Sequence, residues 1–268
     1  MRFLASFWRD ARAWDRSVKI GVVMGLVLLI ILLTLILIAP REARPLLLVG
    51  VIGVVIVMQV LILWGNRHLV TPYTRAQQQF LAGDYEAARD TLRVSVAESE
   101  QNGKRPSVDT LTLLGNTYRN LGLLRESLDI LTTALQRQPQ NPFPLYGFGR
   151  TLLAAGRFAD AEASLQRSLE AGGPSGIMFD VALAQVLQDR PDAASESLRA
   201  IVQDTAQDTD RRWMAQQLLP VEQRGSHSLS GEERQAGAMF WQKETARFAS
   251  TPYGQRLNDL LRDSRHGR

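Results

Sequence analysis

Cysteine is absent from the 268-residue chain, which excludes disulfides, thiolate nucleophiles, iron–sulfur clusters and cysteine-ligated zinc. Histidine is nearly as scarce. Its three occurrences, His68, His227 and His266, stand apart with no second ligand at metal-binding spacing. There is no Walker A loop, nucleophile elbow, zinc-protease helix or strand-preceded Rossmann glycine fingerprint. Carboxylate pairs such as Asp160/Glu162 and Glu232/Glu233 fall on expected solvent faces or helix starts, where the helix dipole already favours negative charge. These absences argue against an enzyme and against a bound cofactor or metal.

An excess of charge is also missing where it would matter. The net charge is +4 and the pI about 9.7. Residues 1–64 hold seven of the 31 basic and three of the 27 acidic side chains, so the remainder carries 24 of each and is neutral. A neutral domain has no electrostatic footprint for nucleic acid.

Long apolar runs are what the N-terminal quarter has in abundance. Ile20–Ala39 is twenty residues without a charge, and Leu46–Trp64 is nineteen with Gln59 its one strongly polar member. Each fits the roughly 20-residue length that crosses about 30 Å of hydrocarbon, and the first is too long for a signal-peptide h-region. The connector from Pro40 to Pro45 permits only a tight turn, so the two runs form a hairpin. Five basic residues precede it and Arg67 and Arg75 follow it, against Arg41 and Arg44 in the connector, which places both termini in the cytoplasm by the positive-inside rule. Upstream, Phe3, Phe7, Ala11 and Trp14 recur at helical spacing among arginines, as in a helix lying at a membrane surface, with Trp8 and Trp64 as interfacial anchors. Gly21 and Gly25 are spaced for close packing of the first span. The expected division is an amphipathic segment 1–18, a hairpin 19–65 with spans 20–39 and 46–64, a repeat domain 66–220 and a helical tail 221–268.

The remainder is periodic. Val108–Asn141 is 34 residues and carries Leu114-Gly115, Tyr118, Gly122, Leu124, Leu131, Ala134 and Pro139. Pro142–Ser175 repeats the scheme with Phe148-Gly149, Leu152, Gly156, Phe158, Ala161 and Leu165. Upstream, Gly83-Asp84-Tyr85-Glu86-Ala87-Ala88-Arg89 is the same turn and helix start, giving a first unit from about Leu69 to Asn102. Downstream, Asp189-Arg190-Pro191-Asp192-Ala193-Ala194 with Leu198 marks a degenerate fourth. The turn positions Gly83, Gly122, Gly156 and Asp189 lie 39, 34 and 33 residues apart, and the extra five fall in the polar segment Gln101–Pro106. This pattern resembles the tetratricopeptide repeat over residues 69–204, with Ser127 in place of the usual alanine and Gly173 in place of the usual proline. The expected fold is all-α: a transmembrane helical hairpin, then a tetratricopeptide-like α-solenoid of three to four units, then C-terminal helices. Thr209–Leu219 reads as a capping helix, Arg224–Leu229 as a flexible link, and Ser230-x-x-Glu233 as a capping box opening a helix to about Ala249. Thr251-Pro252 starts a terminal helix with Leu257, Leu260 and Leu261.

The resemblance implies a concave face formed by the first helix of each unit. In that register the inward residues are Tyr73 and Gln77, then Thr112, Asn116, Arg119 and Asn120, then Tyr146 and Arg150. The set reads either as a groove for an acidic or C-terminal peptide or as an ordinary solvated face. Asn116 with Arg150 is similar to part of the family's carboxylate clamp, although its lysines are missing. The implied function is a membrane-anchored protein-interaction adaptor, with a protein or peptide partner, two spans in the lipid bilayer, no nucleic acid, and a homo- or hetero-oligomer possible. The alternative is a structural or assembly subunit of a larger membrane complex, held by its hairpin. The expected location is the inner membrane of a bacterium. Because no native cysteine competes, Ala43→Cys and Ser228→Cys can be labelled singly in intact cells. Ala43→Cys is expected to react with an impermeant maleimide and Ser228→Cys to stay protected; labelling of Ser228→Cys from outside would reverse the orientation.

Overall fold

The computed structural model describes residues 16–66, 71–220, 223 and 229–266. The surface helix expected over 1–18, Trp8, His68, His227 and most of the link 224–229 lie outside the described residues. Among the described residues the chain is all-helical, with thirteen helices and no strand. It divides into two compact units, one up to Thr71 and one from Pro72 onward.

The first unit contains α1 (Arg16–Ile38) and α2 (Arg44–Asn66). The Ala43 amide donates to the Pro40 carbonyl to close the turn between them. A Cβ at Gly21 would lie 3.1 Å from Leu61, one at Gly25 would lie 2.7 Å from Met58, and Gly50 faces Leu32, so the helices run antiparallel with glycines letting them approach. The Thr34 hydroxyl, within the apolar run, donates to the Ile30 carbonyl and leaves no bare polar group on that side chain. Both helices are long and apolar enough to cross a membrane, and most of their large side chains are exposed, Leu37 at 81% and Leu46 at 78%.

The second unit stacks helix pairs: α3 (Pro72–Leu81) with α4 (Tyr85–Gln101), α5 (Val108–Asn120) with α6 (Leu124–Arg137), α7 (Pro142–Ala154) with α8 (Phe158–Glu170), and α9 (Ile177–Leu187) with α10 (Pro191–Gln203). Then come α11 (Thr209–Leu218), α12 (Gly231–Arg247) and α13 (Pro252–His266). Starts are set by side-chain caps: Asp84 accepts from the Ala87 amide, Ser107 from Thr110, and Asn141 from Phe143, with Pro142 in the first turn. Turns within pairs share one geometry. Gly83, Gly122, Gly156 and Asp189 all have positive φ, and the next residue's amide reaches back to the carbonyl of Gln79, Tyr118, Leu152 and Gln185 respectively. This is the six-to-one bond of a Schellman ending. Asp189, at φ 60°, is the one non-glycine with positive φ among the described residues, so the fourth unit, degenerate in sequence, keeps the turn with a residue that tolerates the left-handed region.

Within pairs, small residues admit large ones. A Cβ at Gly115 would sit 2.5 Å from Leu131 Cγ, and one at Gly149 would sit 2.7 Å from Leu165 Cγ; both leucines are fully buried. Leu131 also approaches Gly147 of the following pair, keying consecutive pairs together. Ser127, standing where alanine is usual, donates to the Gly115 carbonyl at 2.7 Å, so its hydroxyl is satisfied in the tight interface. Glu162 departs from the expected solvent face: it is buried because Gln185, Gln188 and Arg190 of the next pair all donate to its carboxylate. Burial alone would raise its pKa, but these donors outweigh burial and hold it below the usual carboxylate value. Leu131→Ala is expected to lower stability by about 2–5 kcal/mol in urea unfolding followed by helicity. Leu81→Ala, at a side chain 78% exposed, is expected to change it by less than about 0.5 kcal/mol.

Candidate functional site

The first helices of successive pairs lie side by side, so α3, α5, α7, α9 and α11 present one continuous inner face. Tyr146 and Arg150 of α7 occupy its centre, as the repeat register implies. The Tyr146 hydroxyl donates to Asp180 Oδ2 at 2.8 Å and accepts from Arg211 Nη2 at 3.0 Å. Arg150 lies 5.8 Å from the Tyr146 ring centroid, with Nε 3.7 Å from Asp180 Oδ1. Asp180 is one repeat beyond Tyr146, as Tyr146 is one repeat beyond Thr112, so the 34-residue period itself held the signal that could have found it.

The other expected residues divide. Asn116, Arg119 and Asn120 join the same face: Arg119 is buried and donates to Asn116 Oδ1 at 2.7 Å, while Asn120 donates to the Asn116 carbonyl. Thr112 turns inward on its own helix, donating to the Val108 carbonyl. Tyr73 is half-buried in a separate cluster with Ala76, Leu92 and Leu114, and Gln77 of the same helix is exposed.

The C-terminal helices, whose docking the sequence left open, lie on this face. Gly237 packs on Trp213 of α11. Trp241 stacks at 5.7 Å on Phe179 of α9 and donates its indole N–H to the Asp210 carbonyl at 2.7 Å. Glu244 Oε1 lies 3.9 Å from Arg150 Nη2. Arg247 donates to Asn120 Oδ1 at 2.8 Å and sits 5.5 Å from the Tyr85 ring centroid at the start of α4. α12 thus traverses the inner face from its last helix toward its first. α13 returns over the turns: Pro252 covers Gly156, and Arg256 donates to Asp189 and to the Leu187 carbonyl. Phe248, Tyr253, Leu257 and Leu261 complete the core beneath.

The electrostatics follow from that burial. Arg119 and Arg150 face Asp180 of α9 and Glu244 of α12. Burial, and then the neighbouring Arg150, depress the Arg119 pKa to about 10, and among the described residues no carboxylate lies within ion-pair distance of it. Burial also opposes the Arg150 charge, but Asp180, Tyr146 and Glu244 overcome it and hold its pKa above the ordinary arginine value. The Tyr146 phenol is raised by burial and then by Asp180, and that of Tyr253 by burial and then by Glu244. Among the described residues no group of three or more Asp, Glu or His is placed to hold a metal ion.

This arrangement of helix pairs and turns is a tetratricopeptide-like α-solenoid. Residues 118–177 match the family described as "Tetratricopeptide repeat". Among solved structures, the chain is similar to a crystal structure of MamA at 14% identity and a TM-score of 0.42, over 71% of this chain and 96% of that one. It is also similar to a second MamA structure, "MamA MSR-1 C2", at 18% identity and a TM-score of 0.41, over 74% and 99%. A thermophilic TPR protein of Thermus thermophilus matches at 17% identity and a TM-score of 0.43, over 73% and 96%. No curated protein matches the chain.

Removing the buried Arg119 or the half-buried Arg150 separates their roles. Arg150→Met leaves Asp180 with Tyr146 and Arg211 and Glu244 with Arg247, and is expected to lower stability by about 2 kcal/mol, between the limits for exposed and fully buried pairs. Arg119→Met removes a buried cation that has no ion-pair partner and is expected to leave stability unchanged or raise it slightly in the same urea titration.

Proposed function

We propose that the chain is a membrane-anchored scaffold that binds a protein or peptide partner through the inner face of its repeats. The observation that carries this reading is the convergence of Asn116, Asn120, Tyr146 and Arg150, from two successive first helices, on one face with Asp180 and Arg211. Tyrosine and arginine are the residues interfaces favour. Anchoring is supported by α1 and α2, whose large exposed side chains would be costly to leave in water and fit a hydrocarbon solvent. The proposed location is a bacterial inner membrane with both termini and the repeats on the cytoplasmic side, resting on the distribution of basic residues around the spans.

One observation favours the second reading, a structural or assembly subunit held by its hairpin. A Cβ at Gly53 of α2 would meet nothing within 4 Å, so that stretch of apolar surface has room for a neighbouring span. Exchanging the hairpin for an unrelated one separates the readings, since a scaffold keeps its partner and an assembly subunit loses it. The inner-face reading is tested by capture from detergent-solubilised membranes with the intact chain and with Asn116→Ala/Arg150→Glu. Loss of one specific protein from the variant, at unchanged helicity, is the expected result. Identical captured proteins from both would remove the inner face as the site.

A further inference from the structure

The inner face is already covered by a helix of the same chain, and the way it is held specifies a ligand. Trp241, Glu244 and Arg247 are spaced three residues apart, so they form one stripe along α12. Each meets a different part of the solenoid: Trp241 the α9–α11 end, Glu244 the α7 centre, and Arg247 the α5 and α4 end. A capping helix covers the last pair of a stack and goes no further. α12 instead reaches a residue 127 positions earlier in the chain, by a polar bond from Arg247 to Asn120.

Glu244 has a role that no residue of the repeats fills. Without it, the buried Arg119 and the half-buried Arg150 face Asp180 alone, so the face favours a carboxylate from whatever occupies it. The tail also leaves some chemistry unsatisfied. Arg119 stays beyond ion-pair distance of any described carboxylate, and Arg212, although its Nη1 pairs with Glu233 of α12, has a buried Nε with no hydrogen-bond partner among the described residues. At the opposite edge, the turn that carries a left-handed aspartate in place of glycine is the one that grips the tail, through Asp189 and Arg256.

Resting on the inner-face reading, we propose that the groove is built for an α-helix bearing an aromatic residue three positions before a carboxylate, that α12 is its resident occupant, and that a partner helix of this kind enters by displacing it. The mode is a helix laid in a groove, with an aromatic anchor at one end and a charge pair at the centre. Tethering gives α12 a high effective concentration. A displacing helix therefore needs an advantage, and a second carboxylate toward Arg119 supplies one.

The probe is a fluorescein-labelled synthetic peptide of residues 230–250, added to the purified full-length chain and followed by anisotropy. The wild-type chain is expected to bind it weakly. A chain carrying Trp241→Ala/Glu244→Arg, whose own tail is loosened, is expected to bind it at least ten-fold more tightly, and a peptide carrying Glu244→Arg is expected to lose that binding. Equal binding by both chains would overturn the proposal. Native-state hydrogen exchange on the unmutated chain guards against misfolding of the variant. Amides of α12 and α13 are expected to exchange at least ten-fold faster than those of α7 and α9. Exchange of both sets only through global unfolding would make the tail a permanent part of the core and overturn displacement. Adding Arg150→Glu to the loosened chain separates the two readings. Peptide binding that survives it places the peptide elsewhere and sinks the groove itself. Retained, Arg150-dependent capture of a protein partner, together with no gain on loosening, sinks the assignment of the tail alone.

Discussion

The two central repeat pairs depend on the close approach of two helices across a glycine. Gly115 against Leu131, and one period later Gly149 against Leu165, bring these pairs to a separation that a Cβ would forbid. The contact recurs at the same register in these two pairs, and Leu131 carries the relation forward by reaching Gly147. The side-by-side lie of α5 and α7 rests on this packing, so the site inherits part of its shape from the contacts beneath it.

The repeat architecture was legible because it is local and periodic. Gly83, Gly122, Gly156 and Asp189 could be read as turns from spacing alone, and all four adopt positive φ with the same returning hydrogen bond. The start of α12 was legible for a similar reason: a capping box lies within four residues, and Ser230 and Glu233 satisfy each other's amides. What could not be read was set by distant partners. Glu162 looked solvated because its three donors belong to the next pair. Of the residues expected on the inner face from register, Asn116, Arg119, Asn120, Tyr146 and Arg150 lie together while Tyr73, Gln77 and Thr112 do not join them, and nothing in a non-repeating tail foretold that Glu244 would face Arg150 across 94 residues of sequence.

The inner face and its occupant also illustrate how a neutral domain can hold charge in its interior. Arg150 is kept ionised by two carboxylates and a phenol that are themselves desolvated, and the arrangement is coherent only while all are present. Such a cluster contributes little net stability compared with apolar packing of similar volume, yet loss of one carboxylate leaves the half-buried Arg150 with less to offset its desolvation.

A solenoid whose pairs touch only their neighbours behaves as a spring: it bends and twists easily, and its ends can fray while its middle stays folded. α12 changes that mechanics. By tying α11 and α9 to α7, α5 and the start of α4, it acts as a cross-brace, converting a chain of nearest-neighbour couplings into one rigid frame. With the brace seated, the domain's curvature is fixed and strain applied at one end reaches the other. Without such a brace, the same pairs would be coupled through their nearest neighbours alone.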